Sequence, residues 1–502
     1  TLLSHSWHML SLDAPMLIVT AVNAGLLAAL HALFASVVSE PYMDEPFHVQ
    51  QTQAYCAGRF VEWDEKITTF PGLYALGAGA AWLVSLVGGG GGVSAGCTLP
   101  VLRAVNLLPA LATPPLLLAL LRRLHPEAAP ADQLGNAMLL ALLPTHVFYH
   151  CLYYTDSAAT VSALMLVLLT LPAHSAAAAP ARARPSAAHR VAVACAAALC
   201  VALRQTNAVW LAFALGCDVL EQLDSSGALP SHLPLLDALA ALPKALVSAT
   251  GAGGASSAVC KPRGRLAVVV AVTRQPALPL LLAAFAAFVW CNGGVVLGDK
   301  SNHRPALHTA QLLYLIGYAA APFELLALAR GVATRGVAPT LRAAAAAVAA
   351  APLRVAAALA ATTSAAHGTL CHPFLLADNR HVTFYLWRHV LGRHPAVRYA
   401  LVPLHVLLGW RLLPPIWARH GALRSLGLLG CAALALVPSP LLELRYLTLP
   451  VLLFRLHAPL LAGRARWLPP LLAFGAINAA AIAVFIGRPY TWVDGTTARL
   501  MW

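Results

Sequence analysis

Apolar runs separated by short polar loops repeat along nearly the whole chain. They lie near 14–38, 73–87, 101–121, 134–152, 157–172, 190–203, 207–220, 276–297, 305–328, 339–365, 398–414, 424–437, 440–461 and 467–487. Because a spanning helix needs roughly 20 apolar residues, the pattern predicts an all-α polytopic membrane protein with about 12–14 transmembrane helices. The run 14–38 is too long for a signal peptide and lacks a cleavage pattern, so we expect a retained first span.

The composition favours the same class of protein. Of the 502 residues, 59% are hydrophobic and 10% are charged, whereas soluble domains carry roughly 25% charged residues. The net charge of +14 comes mostly from arginines in short loops, as a positive-inside bias would produce, so it does not indicate nucleic acid binding. The ten cysteines lack a CxxC motif and regular spacing, which favours buried free thiols over a disulfide framework.

The basic loops fall on one side of the membrane if the segments 73–87 and 383–394 lie along the surface instead of crossing. The polar clusters then converge on the opposite side, as expected for an active site. The sequence therefore predicts one membrane domain, 1–502. Its loops 173–189 and 221–275 are expected in the cytosol, and its loops 39–100, 298–304 and 366–397 are expected on the opposite face.

Two adjacent carboxylates, Asp44 and Glu45, follow the first apolar run. Carboxylates in this position can act as a general base, bind a metal, or cap the helix that "DEPFHVQQTQAYC" is expected to form. His48 lies one turn later on the same face as Asp44. It could assist in deprotonating an alcohol, or it could form an ordinary surface pair.

Aromatic and charged residues surround a Pro-Gly turn at 71–72. Trp63 and Tyr74 lie close in sequence to Asp64 and Lys66. This combination suits a sugar, because an aromatic ring can stack on its apolar face while acids bind its hydroxyl groups. The alternative is an interfacial aromatic belt.

Six cationic or titratable residues lie at span ends on the face opposite the basic loops. They are Arg204, Lys300, His303, Arg380, His381 and Arg445. The positive-inside rule disfavours cations on that face, so they need a specific reason. Binding of a lipid phosphate is one explanation. The alternative is that these are snorkelling side chains at helix ends. We find no P-loop, no Rossmann GxGxxG, no HExxH and no EF-hand loop, so we expect neither a metal nor a cofactor, and a lipid-carried donor.

Several motifs resemble those of the eukaryotic dolichyl-phosphate-glucose α-1,2-glucosyltransferases. These are "YMDEPFHVQQTQAYC", "WDEKITTFPGLY", "LYYTD", "LRQTNAVW", "GDKSNH", "HPFLLADNRHVTFYLWR", "LLELRY" and the closing "LMW". They occur in the expected order from residue 42 onward. Pro46, Glu65 and Phe70 depart from the usual pattern without removing any candidate acid or cation.

The resemblance implies a GT-C membrane fold with juxtamembrane helices in an acidic first luminal loop, located in the endoplasmic reticulum membrane. It implies inverting transfer of glucose from dolichyl phosphate glucose to a diglucosylated dolichyl-diphosphate oligosaccharide. Asp44 is then the expected base, with Glu45 second, and the six cations above are expected to bind the donor phosphate. The expected sugar-binding residues are His48, Trp63, Asp64, Asp156 and Asp378.

Two other functions remain open at this point. A dolichyl-phosphate-mannose-dependent mannosyltransferase would share the architecture, although "ADNRH" and "RQTN" favour the glucosyl enzyme. A lipid or sugar transporter would show internal repeats and midplane charges in broken helices, whereas here the charges are at span ends and no repeat is visible.

Overall fold

The chain is almost entirely helical in a computed structural model, which describes residues 14–88, 92–171, 185–225, 227–247, 272, 274–301 and 304–502. The helices of the first half are α1 (Ala14–Val37), α2 (Glu45–Cys56), α3 (Gly72–Val87), α4 (Gly92–Gly96), α5 (Leu99–Ala104), α6 (Leu107–Leu124), α7 (Pro130–Ala141), α8 (Pro144–Tyr149), α9 (Asp156–Thr170), α10 (Ala187–Leu203), α11 (Ala208–Ser225) and α12 (Leu235–Val247). A 3-10 turn, Gln205–Asn207, precedes α11.

The second half contains α13 (Ala277–Asn292), α14 (Gln311–Arg335), α15 (Val337–Ala350), α16 (Pro352–His367), α17 (Pro373–Ala377), α18 (Val382–Leu386), α19 (Ala396–Ala400), α20 (Val402–His420), α21 (Ala422–Leu436), α22 (Thr448–His457) and α23 (Arg464–Gly487). A π-helical turn, Trp387–Leu391, and a 3-10 turn, Leu444–Leu447, lie between them. Two short antiparallel strands, β1 (Tyr490–Thr491) and β2 (Thr497–Ala498), form a hairpin near the C-terminal residues.

Five of these helical segments are long and apolar enough to cross a membrane. They are Pro15–Val37, Leu99–Leu124, Gln311–Arg335, Ala396–His420 and Arg464–Gly487. Five shorter apolar helices accompany them: Gly72–Val87, Asp156–Thr170, Ala187–Leu203, Ala277–Asn292 and Ala422–Leu436. The predicted all-α polytopic class is therefore confirmed, while the number of 12–14 spans stays a prediction.

Two compact units divide the chain, and each is assembled from three separate stretches of sequence. The first contains Thr1–Glu127, Tyr149–Asn302 and Trp417–Cys431, and the second contains Ala128–Phe148, His303–Ile416 and Ala432–Trp502. In the first unit, α9 packs along α10 and against α6, and α11 packs on α13. In the second unit, α7 packs against α23, and the fully buried α22 packs against α14.

Two expectations about individual segments change. The run 339–365 was expected to be long enough to span, but it is divided between α15 and α16. Pro352 starts the second helix, because a proline lacks the N–H that would continue the first. The expected loop 221–275 contains the end of α11 and the whole of α12. The low-complexity stretch 249–265 and most of 173–189 lie outside the described residues.

The segment between the first two spans folds around two helices, α2 and α3, which pack against each other. Helix α3 has 16 residues, so it extends only about 24 Å at 1.5 Å per residue, less than the ~30 Å hydrocarbon core. Gly72 allows it to lie against the backbone of Ala202, where a Cβ atom would collide with the carbonyl group. Its predicted orientation along the membrane surface stays a prediction.

A disulfide joins Cys56, the last residue of α2, to Cys97, which precedes α5; their Cα atoms are 6.5 Å apart. The expectation of free thiols is wrong for this pair, although the other cysteines in the described part of the chain are free. The two residues are 41 positions apart, and only the packing of the intervening α3 brings them together, so their spacing gave no signal. Disulfides persist in oxidising compartments, which fits a segment facing away from the cytosol.

We expect peptide mapping of protein alkylated without reductant to recover the Cys56 and Cys97 peptides as one cross-linked species. The exposed thiol of Cys371 is the internal control and should be alkylated at once. Alkylated Cys56 and Cys97 peptides in unreduced, freshly purified protein would contradict the disulfide.

Candidate active site

Asp44 occupies the N-cap position of α2, but its side chain makes no capping hydrogen bond. Its backbone N–H instead donates to the hydroxyl of Tyr154 at 3.0 Å. The preceding residue, Met43, has a φ of 58° and is the non-glycine residue with positive φ in the described part of the chain. Such strain clusters at functional sites, where surrounding contacts must maintain it. The helix-capping interpretation of Asp44 is therefore not supported, and the carboxylate belongs to a strained, anchored turn.

Glu45, next in sequence, is fully buried and accepts four hydrogen bonds. Its Oε1 accepts from the Arg103 Nε at 2.9 Å and from the Tyr153 N–H at 2.7 Å. Its Oε2 accepts from the Arg103 Nη2 at 2.6 Å and from the Tyr42 N–H at 2.9 Å. Both oxygens of Glu45 are used in these contacts, so the side chain ties α2 to Arg103 and to the backbone of Tyr42 and Tyr153.

Arg103 was not singled out by the sequence analysis, although it is 1% exposed and forms the other half of this pair. Its Nη1 donates to the carbonyl of Val38 at 2.6 Å, and its Nη2 donates to the carbonyl of Glu40 at 3.3 Å. The guanidinium thus connects the end of α1 to the start of α2. The available signal was a lone charge early in the apolar segment Leu99–Leu124, since such residues are rare and usually functional.

Aromatic side chains line the next turn of α2. The His48 Nδ1 lies 3.0 Å from the hydroxyl of Tyr74, and its ring meets that of Tyr154 edge-on with centroids 5.8 Å apart. Trp63 packs edge-on against Tyr74 with centroids 5.7 Å apart, and its Nε1 donates to the Ile67 carbonyl at 3.2 Å. The predicted sugar-binding residues His48 and Trp63 therefore share one aromatic wall, built around Tyr74.

Asp64 lies in the loop that connects α2 to α3, and its hydrogen bonds stabilise the fold of that loop. Its Oδ1 accepts from the Lys66 N–H at 2.9 Å, and its own N–H donates to the Gln51 side chain at 2.9 Å. Gln51 also donates to the Glu62 carbonyl at 2.6 Å. Asp64 thus has a local turn-forming role alongside its predicted sugar contact.

The "GDKSNH" and "RQTN" motifs both donate hydrogen bonds to the loop formed by residues 65–68. The Asp299 N–H donates to the Glu65 carbonyl at 2.7 Å, and the Gln205 Nε2 donates to the Thr68 carbonyl at 2.7 Å. Gly298 has a φ of 61° and lies so close that a Cβ atom would collide with the Glu65 carbonyl. Within the "GDKSNH" motif, Lys300 donates to the backbone carbonyl of Asn292 at the end of α13. The first unit therefore brings together three motifs that are far apart in sequence.

Arg204 and Asp156, which are expected to bind phosphate and sugar respectively, form an ion pair with each other. The Arg204 Nη1 donates to the Asp156 Oδ1 at 2.7 Å. Asp156 is 6% exposed and is the first residue of α9. The pair therefore fixes the orientation of the guanidinium at the end of α10.

In the second unit, Arg380 and Asp378 form a bidentate ion pair. The Arg380 Nε and Nη2 lie 2.9 Å and 2.8 Å from the two oxygens of Asp378. Partial burial acts to raise the pKa of the Asp378 carboxyl, but the hydrogen bonds from Arg380 outweigh it and hold that pKa below its ordinary value. The guanidinium also lies over the ring of Trp492, 4.5 Å from its centroid. The guanidinium of Arg380 is therefore contacted along its edge by Asp378 and on its face by Trp492.

The closing residues of the chain pack against this motif. The Met501 N–H donates to the Arg380 carbonyl and the Val382 N–H donates to the Met501 carbonyl, both at 2.8 Å. The His381 Nδ1 lies 3.1 Å from the carbonyl oxygen of Trp502. The "LMW" and "ADNRH" motifs therefore form one structural element.

The remaining predicted site residues have separate outcomes. Arg445 pairs with Glu443 within its own motif. His303 lies outside the described residues. Lys300 is in the first unit and Arg380 is in the second, so their convergence on one phosphate stays a prediction. In the part of the chain that the structure describes, no group of three or more His, Cys, Asp and Glu side chains could hold a metal ion.

The fold defines a multi-spanning α-helical membrane protein. Its first unit contains the adjacent carboxylates and the aromatic wall, and carboxylate-paired arginines lie in polar loops of each unit. The model of the DIE2/ALG10 family matches residues 38–456, so the chain belongs to that family.

Similar proteins cover nearly the full length of the chain. A mouse protein is 30% identical over 94% of this chain and 95% of its own length. An Arabidopsis thaliana protein is 30% identical over 97% and 99%, and a Drosophila melanogaster protein is 31% identical over 92% and 94%. All three are named Dol-P-Glc:Glc(2)Man(9)GlcNAc(2)-PP-Dol alpha-1,2-glucosyltransferase. No solved structure matches the chain.

We expect Gly298→Ala to lower the melting temperature at least twice as much as the control Gly293→Ala. Both glycines have positive φ, but only Gly298 has backbone atoms where the new Cβ atom would lie. Gly293→Ala should therefore carry only the left-handed strain of about 1–2 kcal/mol. Thermal unfolding of the two variants in the same detergent measures the difference, and equal shifts would show that the 298–301 loop is not docked on residues 65–68.

Proposed function

We propose that the protein transfers glucose from dolichyl phosphate glucose to the terminal glucose of a diglucosylated dolichyl-diphosphate oligosaccharide, forming an α-1,2 linkage. Its family membership, and its similarity to relatives carrying that name over nearly their whole length, support this activity. The reaction inverts the anomeric centre, because the donor is β-linked and the product is α-linked. The motifs that carry the resemblance are distributed over both units.

The proposed mechanism rests on the different surroundings of the two adjacent carboxylates, Asp44 and Glu45. Glu45 is committed to Arg103 and to two backbone N–H groups. Asp44 directly follows the strained residue Met43, and its backbone carbonyl accepts from the N–H of His48, which belongs to the aromatic wall. We therefore assign Asp44 as the base. As the acceptor 2-hydroxyl oxygen bonds to the anomeric carbon, its proton passes to Asp44, and the bond from that carbon to the phosphate oxygen breaks with its electron pair leaving on dolichyl phosphate.

The donor phosphate requires cations that stabilise the charge on the leaving oxygen. Lys300, Arg204, Arg380, His381, Arg445 and His303 are the proposed group. Carboxylates orient the three arginines: Asp156 pairs with Arg204, Asp378 with Arg380, and Glu443 with Arg445. An arginine whose planar fork is already oriented loses less entropy when it binds a phosphate. Asp156 and Asp378 are accordingly proposed to orient arginines as well as to lie near the sugars.

The acceptor and donor sugars are proposed to bind along the wall formed by His48, Trp63 and Tyr74, with Asp64 beside it. The wall belongs to the segment that contains Asp44 and the Cys56–Cys97 disulfide. Because disulfides form in oxidising compartments, this segment is proposed to face the lumen of the endoplasmic reticulum. Membrane lipids surround the spans, and the dolichyl chains of both substrates would enter from the bilayer.

Purified protein incubated with dolichyl phosphate glucose and a lipid-linked acceptor ending in two glucoses tests the activity. We expect one added glucose that an α-1,2-specific glucosidase removes. Transfer of mannose from dolichyl phosphate mannose, or transport of either lipid without product, would overturn the assignment.

We expect Asp44→Asn to lower kcat by roughly 10²–10⁴-fold, the usual effect of losing a general base. The matched control is Glu62→Gln in the same segment, whose carboxylate forms an exposed pair with Arg59 and should leave kcat within about twofold. Turnover per folded molecule at saturating substrates is the measurement. Near-wild-type kcat in Asp44→Asn would refute the base assignment.

We expect Lys300→Ala to raise the donor KM by about ten- to a hundredfold, since one charge-assisted contact to a phosphate is worth about 1.5–3 kcal/mol. Arg380→Ala should lower kcat as well, because a fixed fork distinguishes the transition state better than a flexible ammonium. Initial rates at varied donor and saturating acceptor separate these effects. A raised acceptor KM with an unchanged donor KM would move both cations to the acceptor diphosphate or its sugars.

A further inference from the structure

The ion pair of Glu45 and Arg103 is almost completely buried. The two side chains are 0% and 1% exposed, and two N–H groups of the guanidinium bind the two carboxylate oxygens directly. Burying two charges removes the hydration of both, so such pairs are often no more stabilising than apolar side chains of similar volume. Stability alone therefore does not account for this pair.

The contacts of the pair converge on the residues next to Asp44. Arg103 holds the carbonyls of Val38 and Glu40, which precede Asp44 in sequence. Glu45 accepts hydrogen bonds from the N–H groups of Tyr42, just before α2, and Tyr153, just before α9. The pair thus fixes the backbone on both sides of residues 43 and 44.

A second anchor acts on Asp44 itself. Its N–H donates to the hydroxyl of Tyr154, and Tyr154 directly follows the residue whose N–H binds Glu45. The left-handed conformation of Met43 persists only where surrounding contacts determine it. The ion pair and the tyrosine hydroxyl are contacts of that kind, and they come from segments 99–104 and 152–154.

We propose that Arg103 and Glu45 are positioning residues that hold the Asp44 carboxylate in its reactive orientation, an inference that rests on the proposed role of Asp44 as base. Neither residue touches the reacting atoms. Their effect is to keep the strained turn at residue 43 from relaxing. A displacement of the base by about 1 Å can lower the rate on the order of 10²-fold, so loss of the pair should reduce turnover without changing substrate affinity.

The first test compares Arg103→Lys with the matched control Arg123→Lys. Arg123 also donates to two backbone carbonyls, those of Leu168 and Leu171, but it is near the other end of the same apolar segment. Lysine keeps the charge at both positions and removes the planar fork. We expect Arg103→Lys to lower kcat per folded molecule by about 10²-fold with both KM values within about threefold, as for a misplaced base. Arg123→Lys should affect only thermal stability.

A double-mutant cycle then asks whether Arg103 acts through Asp44. The variant that combines Asp44→Asn with Arg103→Lys should be no slower than Asp44→Asn alone, because there is no base left to misplace. If the two losses multiply instead, Arg103 acts independently of Asp44 and the proposal is overturned. If Arg103→Lys keeps wild-type kcat per folded molecule, the pair is purely structural and the proposal is likewise overturned.

Glu45→Gln provides the second variant if Arg103→Lys yields too little folded protein. It retains the shape of the side chain but cannot bind the guanidinium through two charged oxygens, and it should show the same loss of kcat at unchanged KM. The failure of the base assignment has a different signature, since Asp44→Asn would then be active whatever happens at position 103. Slow turnover in Asp44→Asn with normal turnover in both pair variants would reject only the positioning role.

Discussion

The buried ion pair between Glu45 and Arg103 is the constraint on which the candidate site depends. The guanidinium donates to the carbonyl of Val38, directly after the end of α1, where the helix dipole favours a positive charge. The carboxylate accepts the N–H of Tyr153, which brings the 152–154 segment to the start of α2. One pair therefore connects the end of α1, the start of α2 and the segment before α9, and Asp44 directly precedes Glu45 there.

The polar loops are less positive than a count of their cations would indicate. Three of the arginines expected to bind phosphate are paired with carboxylates close by, as Arg204 is with Asp156. Pairing reduces the local charge but restricts the orientation of each guanidinium. In the proposed phosphate-binding role, a guanidinium that is already oriented gives directional contacts without an excess of attraction.

Much of the architecture could be predicted from the sequence, because membrane spans follow from hydrophobic length and the site motifs are long. The sequence also indicated Asp44 and the aromatic residues around the Pro-Gly turn. It could not reveal the partner of Glu45, since Arg103 is distant in sequence and pairing depends on how α5 packs. The disulfide of Cys56 and Cys97 was missed for the same reason. The sequence did not indicate the pairing of Arg204 with Asp156, because the two residues are 48 positions apart and only the packing of α9 along α10 brings their ends together.

We propose that this framework presents the Asp44 carboxylate to the acceptor hydroxyl. An experimental structure with an unreactive donor analogue and the diglucosylated acceptor would measure this directly. A base must lie within about 2.6–3.2 Å of the oxygen that it deprotonates. We expect a distance of about 2.6–3.2 Å between an Asp44 carboxylate oxygen and the 2-hydroxyl oxygen of the terminal glucose, with the Glu45–Arg103 pair intact. A different carboxylate at that hydroxyl, with Asp44 beyond reach of the sugar, would contradict it.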